Sequence, residues 1–136
     1  LGTVVRAADA AGASFVVVTD ASVDVTNPKV VRSTAGSLHH LPVVTGVPFE
    51  VLREATAGSV RLVAADGYAT TTLPAADLTG PHLWVFGNEA RGLPDAQVAA
   101  CDDAVAVPLL GRAESLNLAT AAAVCLYASA MHPARA

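Results

Sequence analysis

The sequence predicts a single α/β domain with a mainly parallel sheet. Short runs of valine and other apolar residues alternate along the chain with segments of helical periodicity, and this alternation is typical of β-α-β units. Prolines begin several of the helical segments and glycines end others, as expected at the ends of helices. With 136 residues, 53% of them hydrophobic and 15% charged, the chain can build one hydrophobic core but not two.

Each element is predicted from local signals of this kind. Residues 1–12 carry apolar side chains at helical spacing and end at a glycine, so a helix is expected there. The continuously apolar run at 15–18 indicates a buried parallel strand. An Asn-Pro pair predicts the start of a helix over 27–33. The remaining predicted elements are a strand or turn at 42–47, helices at 48–57, 95–101 and 116–130, and strands at 60–65, 83–86 and 104–107.

Composition narrows the classes of function. The formal charge is −4, so the overall field repels nucleic acid and anionic membranes, and composition alone argues against a protein that coats RNA or DNA. Aromatic residues make up only 4% of the chain, which leaves few platforms for stacking bases. The longest apolar stretch, 116–131, is interrupted by polar residues and is shorter than the ~20 residues that span a bilayer, so no membrane partner is expected.

The two cysteines indicate a reducing compartment. Cys101 and Cys125 have no CxxC spacing and lie in apolar helical contexts, as structural free thiols do. The pair His39-His40 has no cysteine or carboxylate near it at ligand spacing, so we interpret both as loop histidines. We therefore expect a cytoplasmic protein without a metal site.

The loops that follow the strands are the first candidates for a binding site, because ligands of open α/β sheets bind beyond the carboxyl ends of the strands. The loop after Phe86 places Gly87 and Gly92 around a short polar stretch, as when a backbone must approach a ligand closely. A tight turn with a solvated charge pair explains the same residues equally well.

Polar residues before the last helix form a second candidate. Ser115 is predicted as the N-cap of that helix, which explains it without any function. Asn117, expected inside the first turn of a buried helix, needs a partner and therefore either ties loops together or faces a ligand. Arg6 is the only charged residue of the first helical segment up to Ala8, and it either reaches solvent or contacts a phosphate.

Several common motifs are missing from the sequence. There is no GxGxxG after a strand, no GxxxxGK[ST], no HExxH and no GxSxG. The sequence therefore lacks the motifs that would indicate a dinucleotide-binding oxidoreductase, a P-loop enzyme, a zinc protease or a serine hydrolase.

Three segments, taken together and in this order, resemble one family. They are LGTVVRAADAAGA at 1–13, VFGNEARGLP at 85–94 and VPLLGRAESLNLATAAAVCLYA at 107–128. They resemble motifs 1, 2 and 3 of the SpoU (TrmH) family of RNA ribose 2′-O-methyltransferases, within the SPOUT superfamily. The segment NPKVVRSTAGSLHHLPV at 27–43 resembles the region between the first two motifs.

The resemblance implies a particular fold and assembly. Members of the superfamily have an α/β sheet whose C-terminal segment threads through a loop as a trefoil knot, and the knot forms the S-adenosylmethionine site. Spacing alone predicts an unknotted sheet, because knots are rare among folds. The family is also dimeric, with the active site at the subunit interface, and the first and last helices offer small-residue faces as the expected packing surfaces.

The resemblance also implies which residues form the site. The expected partner is ribosomal or transfer RNA, and the expected cofactor is S-adenosylmethionine. The cofactor pocket is expected to comprise three groups of loop residues: Ala65, Asp66 and Gly67; Phe86, Gly87, Asn88, Glu89 and Gly92; and Val107, Pro108, Leu109, Ser115, Leu116 and Asn117. The residues expected to contact RNA are Arg6, Arg32, Arg91 and Arg112.

The reaction implied is transfer of a methyl group from a sulfonium to the 2′-oxygen of one nucleotide. Arg6 matches the arginine of motif 1, for which a role in deprotonating the ribose has been proposed. Because a guanidinium does not readily lose a proton, gripping the phosphate and stabilising charge on the 2′-oxygen suits it better. Glu89, Ser115 and Asn117 are expected to orient groups around the ribose, with Glu89 as a weaker candidate for proton acceptor.

Departures from the family pattern lead to further expectations. The motif 1 asparagine and the first strand are expected just before Leu1, and many members carry an N-terminal RNA-binding domain of the L30e-like type. Residues 1–136 are therefore expected to be one catalytic domain truncated at its N-terminus. Ala90 stands where many members have glycine. The alternatives are a catalytically idle cofactor- or RNA-binding module, a base-methylating enzyme and, less favoured, a nucleotide-binding oxidoreductase.

Overall fold

A computed structural model of the chain describes residues 2–19, 36, 40–88 and 92–133. The predicted helix over 27–33 lies outside these residues. The other predicted elements are present with ends shifted by one or two residues, and the segment predicted as a strand or turn is a strand. In chain order they are α1 (Gly2–Ala10), β1 (Val16–Thr19), β2 (Val43–Val47), α2 (Phe49–Thr56), β3 (Arg61–Ala65), a 3₁₀ turn (Leu73–Ala75), β4 (His82–Val85), α3 (Asp95–Ala100), β5 (Asp103–Val105) and α4 (Leu118–Ala130).

Every strand pairing among these elements is parallel, as predicted. Strands β1 and β2 form one two-stranded sheet, and a second sheet has the order β4-β3-β5. In the second sheet Arg61 is opposite His82, and Ala65 is opposite Val105. The central strand β3 therefore has a neighbour on each side, and its residues Leu62 to Ala64 are almost completely buried. Burial on both faces explains why residues 62–65 of β3 are all apolar, after the partly exposed Arg61.

Helix α1 packs against α4 within the chain. Val5 and Ala8 of α1 form a buried cluster with Leu41, and Leu126 of α4 packs against that cluster. The small-residue faces that the resemblance suggested for contact between subunits are thus partly used inside one chain, and the contact between subunits stays a prediction. Within the described part of the chain, the helices are all too short or too polar to cross a membrane.

The buried face of α4 is formed by Ala122, Cys125 and Ser129. Cys125 is a free thiol with no exposed surface, and burial raises its pKa to about 12. The thiol is therefore protonated and unreactive in the folded protein.

Ser129 joins α4 to β4 through a buried hydrogen-bond network. The indole Nε1–H of Trp84 donates to Ser129 Oγ over 2.8 Å, and His82 Nε2 lies 2.7 Å from the same oxygen. His82 Nδ1 lies 2.9 Å from the carbonyl oxygen of Gly80, which can only accept, so we assign the proton to Nδ1. Nε2 then accepts the hydroxyl proton of Ser129, and each of these buried polar groups has a partner.

Replacing Ser129 with alanine is expected to destabilise the fold by about 1–3 kcal/mol, because the Trp84 indole and the His82 ring lose their shared partner at a site that is only 4% exposed. Urea unfolding of both proteins measures this loss. Ser59→Ala is the control, since the exposed Ser59 hydroxyl donates only to the carbonyl of Thr56. Equal stability of the two variants contradicts the role assigned to Ser129.

Two ion pairs lie near the amino-terminal ends of the strands of the second sheet, where β3 begins. The two Nη atoms of Arg53 donate to the two carboxylate oxygens of Asp102, both over 2.9 Å. This contact and a hydrogen bond from the Leu62 amide hold the pKa of Asp102 below its usual value. Arg61 Nη1 pairs with Asp103 over 2.6 Å, and its Nη2 donates to two loop carbonyls. These two arginines are therefore committed to the structure.

Candidate functional site

The carboxyl ends of three strands meet at one edge of the second sheet. Ala64 of β3 is opposite Val85 of β4, and Ala65 is opposite Val105 of β5. The Asp66 amide donates to the Val105 carbonyl over 3.0 Å, which ties the end of β3 to that of β5. The loops after β3, β4 and β5 therefore leave from the same edge, called the carboxyl edge below. The first residues of the three predicted cofactor groups, Ala65, Phe86 and Val107, therefore lie at or near this edge.

The loop after β4 closes on itself. The Gly92 amide donates to the Asn88 carbonyl over 2.9 Å, and Gly92 has a φ of +65°. A Cβ added to Gly87 would overlap the backbone of Gly92 and Leu93. The close approach that the sequence indicated at Gly87 is therefore an approach to the loop's own backbone. Glu89, Ala90 and Arg91 lie outside the described residues, so their predicted roles stay predictions.

The loop after β5 ends at the cap of the last helix. Asn117 Oδ1 accepts the amide of Thr120 over 2.8 Å, so Asn117 is the N-cap and α4 begins at Leu118. The prediction of Ser115 as the cap is wrong, because asparagine caps as well as serine does and the asparagine nearer the helix takes the position. Ser115 and Asn117 are both exposed, so capping, and not burial, accounts for the polar side chain at 117.

The loop after β3 is a short turn built on Asp66. One carboxylate oxygen, Oδ1, accepts the Tyr68 amide over 3.2 Å, and the Asp66 carbonyl accepts the Ala69 amide over 3.0 Å. Tyr68 is 97% exposed. Sequence reasoning missed Tyr68; an aromatic residue directly after an Asp-Gly turn pair was the signal that could have found it.

The chain then turns back to pair with the continuation of β5. The Ala106 amide donates to the Thr71 carbonyl over 2.9 Å, and the Leu73 amide donates to the Ala106 carbonyl over 2.8 Å. Beside this segment is an apolar cavity of about 490 Å³ that reaches the last turns of α4. Of the predicted cofactor residues, only Val107 and Pro108 line it. This cavity therefore includes neither the Asp66 turn nor the described residues of the loop after β4.

The described arginines divide into two groups. Arg53 and Arg61 are held in the ion pairs described above. Arg6 on α1 and Arg112 in the loop after β5 are exposed, and neither makes a hydrogen bond or ion pair with another residue in the described part of the chain. Both are free to contact an anion. No described polar contact joins Arg6 to the carboxyl edge, and Arg32 lies outside the described residues.

Metal-ligating side chains do not gather at this edge. Among residues 2–19, 36, 40–88 and 92–133, no three His, Cys, Asp or Glu side chains come close enough to hold a metal ion. The described polar groups at the carboxyl edge are backbone amides and carbonyls and the carboxylate of Asp66, and the far end of the loop after β5 adds the exposed side chains of Ser115 and Asn117.

Comparison with known families decides the identity of the chain. A sequence model of the SpoU rRNA methylase family matches residues 1–127. The chain belongs to this family. Membership confirms the resemblance found in the three motifs.

Relatives of this SpoU protein include two named enzymes. The chain is 40% identical over 133 residues to the 23S rRNA (uridine(2479)-2′-O)-methyltransferase of Streptomyces viridochromogenes, covering 93% of this chain and 46% of that protein. It is 37% identical over 130 residues to the 23S rRNA (guanosine(2553)-2′-O)-methyltransferase RlmP of Bacillus subtilis, covering 93% of this chain and 51% of that protein. The chain thus spans about half the length of these relatives.

Solved structures show the same fold. The SpoU methyltransferase AviRb of Streptomyces viridochromogenes, in complex with AdoMet, superposes with a TM-score of 0.85 at 39% identity, over 95% of this chain and 51% of that one. The AdoMet-bound rRNA methyltransferase of Sinorhizobium meliloti superposes with a TM-score of 0.89 at 32% identity, over 98% and 51%. The predicted SPOUT-type α/β fold with parallel strands is confirmed; the threading of the knot stays a prediction.

Proposed function

We propose that this SpoU protein transfers a methyl group from S-adenosylmethionine to a ribose 2′-hydroxyl of ribosomal RNA. One observation carries the proposal: the loops that hold motifs 2 and 3 and the turn after β3 all leave from the carboxyl edge. Relatives named as 23S rRNA 2′-O-methyltransferases support ribosomal RNA as the substrate class. Transfer RNA is the second class to test.

The residues at the carboxyl edge fit S-adenosylmethionine. Apart from Gly67 itself and its two chain neighbours, no residue has an atom within 4 Å of the position that a Cβ would take on Gly67, so a ligand can lie against that backbone. Asp66 uses Oδ1 within its own turn, which leaves Oδ2 to accept hydrogen bonds from ribose hydroxyls or an ammonium group. The remaining proposed contacts are Ala65, Phe86, Gly87, Asn88, Glu89 and Gly92, and, after β5, Val107, Pro108, Leu109, Ser115, Leu116 and Asn117.

The protein's own contribution to the reaction is mainly alignment. When bound, S-adenosylmethionine supplies a methyl group already activated on a sulfonium. Ser115 and Asn117 then orient the ribose, and Glu89 is the proposed acceptor of the 2′-hydroxyl proton. Arg6 holds the RNA phosphate and stabilises negative charge that develops on the 2′-oxygen.

A homodimer would complete this site. Val124, Tyr127 and Met131 form an exposed apolar stripe along α4, at spacings of three and four residues, and two of them also line the apolar cavity. A second copy that covers this stripe removes the apolar surface from water. Arg6 of one copy can then serve the carboxyl edge of the other, which agrees with its lack of polar contacts to that edge among the described residues.

Broader RNA contacts are proposed to come from a further, RNA-binding domain of a longer protein. The formal charge of −4 and the two arginines committed to ion pairs support this division of roles. Arg32, Arg91 and Arg112 are the proposed local contacts near the target nucleotide. The two free cysteines support a cytoplasmic location.

The test combines binding and transfer. Calorimetric titration with S-adenosylmethionine and with NAD is expected to show binding of the first only. Tritiated S-adenosylmethionine is then incubated with the protein and unmodified 23S rRNA or tRNA transcripts, and the product is mapped by mass spectrometry. We expect label in one 2′-O-methylnucleoside of the rRNA and none when that nucleotide is 2′-deoxy. Label on a base, or cofactor binding without transfer to either RNA, contradicts the proposal.

A further inference from the structure

Tyr68 is unlike the other aromatic residues of the chain. The chain has six aromatic residues, and all of them are described. Phe15, Phe49, Trp84, Phe86 and Tyr127 are each at most 40% exposed, whereas Tyr68 is 97% exposed. The ring of Tyr68 therefore has no packing role within the chain. An aromatic ring exposed to water costs free energy. A partner that covers the ring removes this cost, which is the physical reason to expect one.

The backbone that carries this ring is well defined. The Tyr68 amide donates to Asp66 Oδ1, the Ala69 amide donates to the Asp66 carbonyl, and the Asp66 amide is bonded to Val105 of β5. The turn is thus anchored on two neighbouring strands. A tyrosine has only two side-chain torsions to order, so a ring held on such a turn loses little conformational entropy when it is covered.

The position of the turn points to the kind of partner. Tyr68 is the third residue after the end of β3, the central strand, at the carboxyl edge. The loop after the neighbouring strand β5 is exposed from residue 109 to 115, and it carries the apolar Leu110 at 95% exposure, the unpaired Arg112 and the acidic Glu114. An aromatic face with a guanidinium in the adjacent loop is the combination that holds a single-stranded base and its phosphate.

We propose that Tyr68 stacks on a base of the substrate RNA at the carboxyl edge, and so positions the target nucleotide. The inference rests on the proposed function, because it is that function which places RNA at this edge. Stacking requires the aromatic face but not the phenolic hydroxyl. Phenylalanine at this position therefore suffices, whereas leucine keeps an apolar, shorter side chain and lacks the π face.

The experiment compares Tyr68→Phe, Tyr68→Leu and Tyr68→Ala with the parent protein. Filter binding measures the affinity for unmodified 23S rRNA and tRNA transcripts, calorimetry measures the affinity for S-adenosylmethionine, and steady-state transfer measures kcat and the KM for RNA. The leucine and alanine variants are expected to lose RNA affinity roughly tenfold or more, with a matching rise in KM. The phenylalanine variant is expected to match the parent, and S-adenosylmethionine affinity and kcat are unchanged in all three.

Val51→Ala is the matched control, since it removes an exposed apolar side chain from α2, and it is expected to change none of these values. Three results overturn the role of Tyr68: unchanged RNA affinity in the alanine variant, an equal loss of S-adenosylmethionine affinity, or an altered oligomeric state, which would place the ring between copies. Failure of the proposed function gives a different result, because the parent protein then transfers no methyl group to either RNA. The filter-binding comparison still shows in that case whether Tyr68 contributes to RNA affinity.

Discussion

Gly87→Ala is expected to remove binding of S-adenosylmethionine while the three-stranded sheet stays folded. The added methyl group meets the backbone of Gly92 and Leu93, which cannot move aside as a flexible side chain can. Overpacking of this kind costs about 3 kcal/mol or more, and opening of the loop between Asn88 and Gly92 is the way to relieve it. If that loop binds the cofactor, the same free-energy cost lowers the affinity of the protein for S-adenosylmethionine roughly a hundredfold. Calorimetric titration and urea unfolding measure both effects.

Two other glycines provide matched controls for this variant. Gly111→Ala adds the same methyl group where nothing lies within 4 Å and where φ is not positive, so cofactor affinity is expected to stay at the parent value. Gly92→Ala has the same free space but a φ of +65°, which costs about 1–2 kcal/mol and predicts an intermediate loss. If Gly87→Ala binds the cofactor as well as Gly111→Ala does, the loop is not part of the cofactor site.

Arg6→Ala is expected to abolish most methyl transfer and to keep cofactor binding. Arg6 is exposed on α1 and makes no hydrogen bond or ion pair with any other described residue, so its removal leaves the described fold intact. Loss of a donor that stabilises charge on the reacting oxygen typically lowers kcat about a hundredfold or more. Single-turnover transfer of tritium from S-adenosylmethionine to the RNA measures this, beside calorimetry for the cofactor.

A lysine at the same position separates charge from geometry. Arg6→Lys keeps the positive charge but loses the planar fork that can hold two phosphate oxygens at once, so partial activity is expected. A variant Arg6→Ala that loses cofactor affinity in the same proportion as methyl transfer sinks the assignment, because Arg6 would then act on the cofactor site. Mixing the Arg6→Ala protein with the Gly87→Ala protein gives a further check. Methyl transfer that is restored in the mixture indicates a site that combines residues of two copies.

The fold was predictable because the strands and helices have different hydrophobic periods. Residues 62–65 of the buried strand β3 are all apolar, and α1 shows the three-to-four residue spacing of a helix with one buried face. Element ends were less predictable, since the last turns depend on single capping contacts. The start of α4 was misplaced by two residues because Ser115 and Asn117 are both good caps, and only the backbone decides between them.

The meeting of the candidate loops at one edge was predictable from the sequence, whereas the contacts within those loops were not. Parallel pairing brings the carboxyl ends of β3, β4 and β5 together, so the chain order of the strands was enough to nominate their loops. The reason for Gly87 was not predictable, because it depends on a contact between backbone segments five residues apart that sequence does not display. Tyr68 was missed because periodicity does not show that its ring is 97% exposed; only its place after the Asp-Gly turn pair hints at this.

The short strand β5 has a consequence for how the protein behaves at high concentration. It lies at the edge of its sheet, where unpaired backbone groups invite another chain to add a strand. Three features oppose this: β5 has only three residues, Asp103 keeps a charge on it, and segment 71–73 occupies the hydrogen-bonding positions of Ala106 just beyond it. The ion pairs and the returning segment thus also protect this edge against aggregation, so disrupting them is expected to lower solubility before it lowers activity.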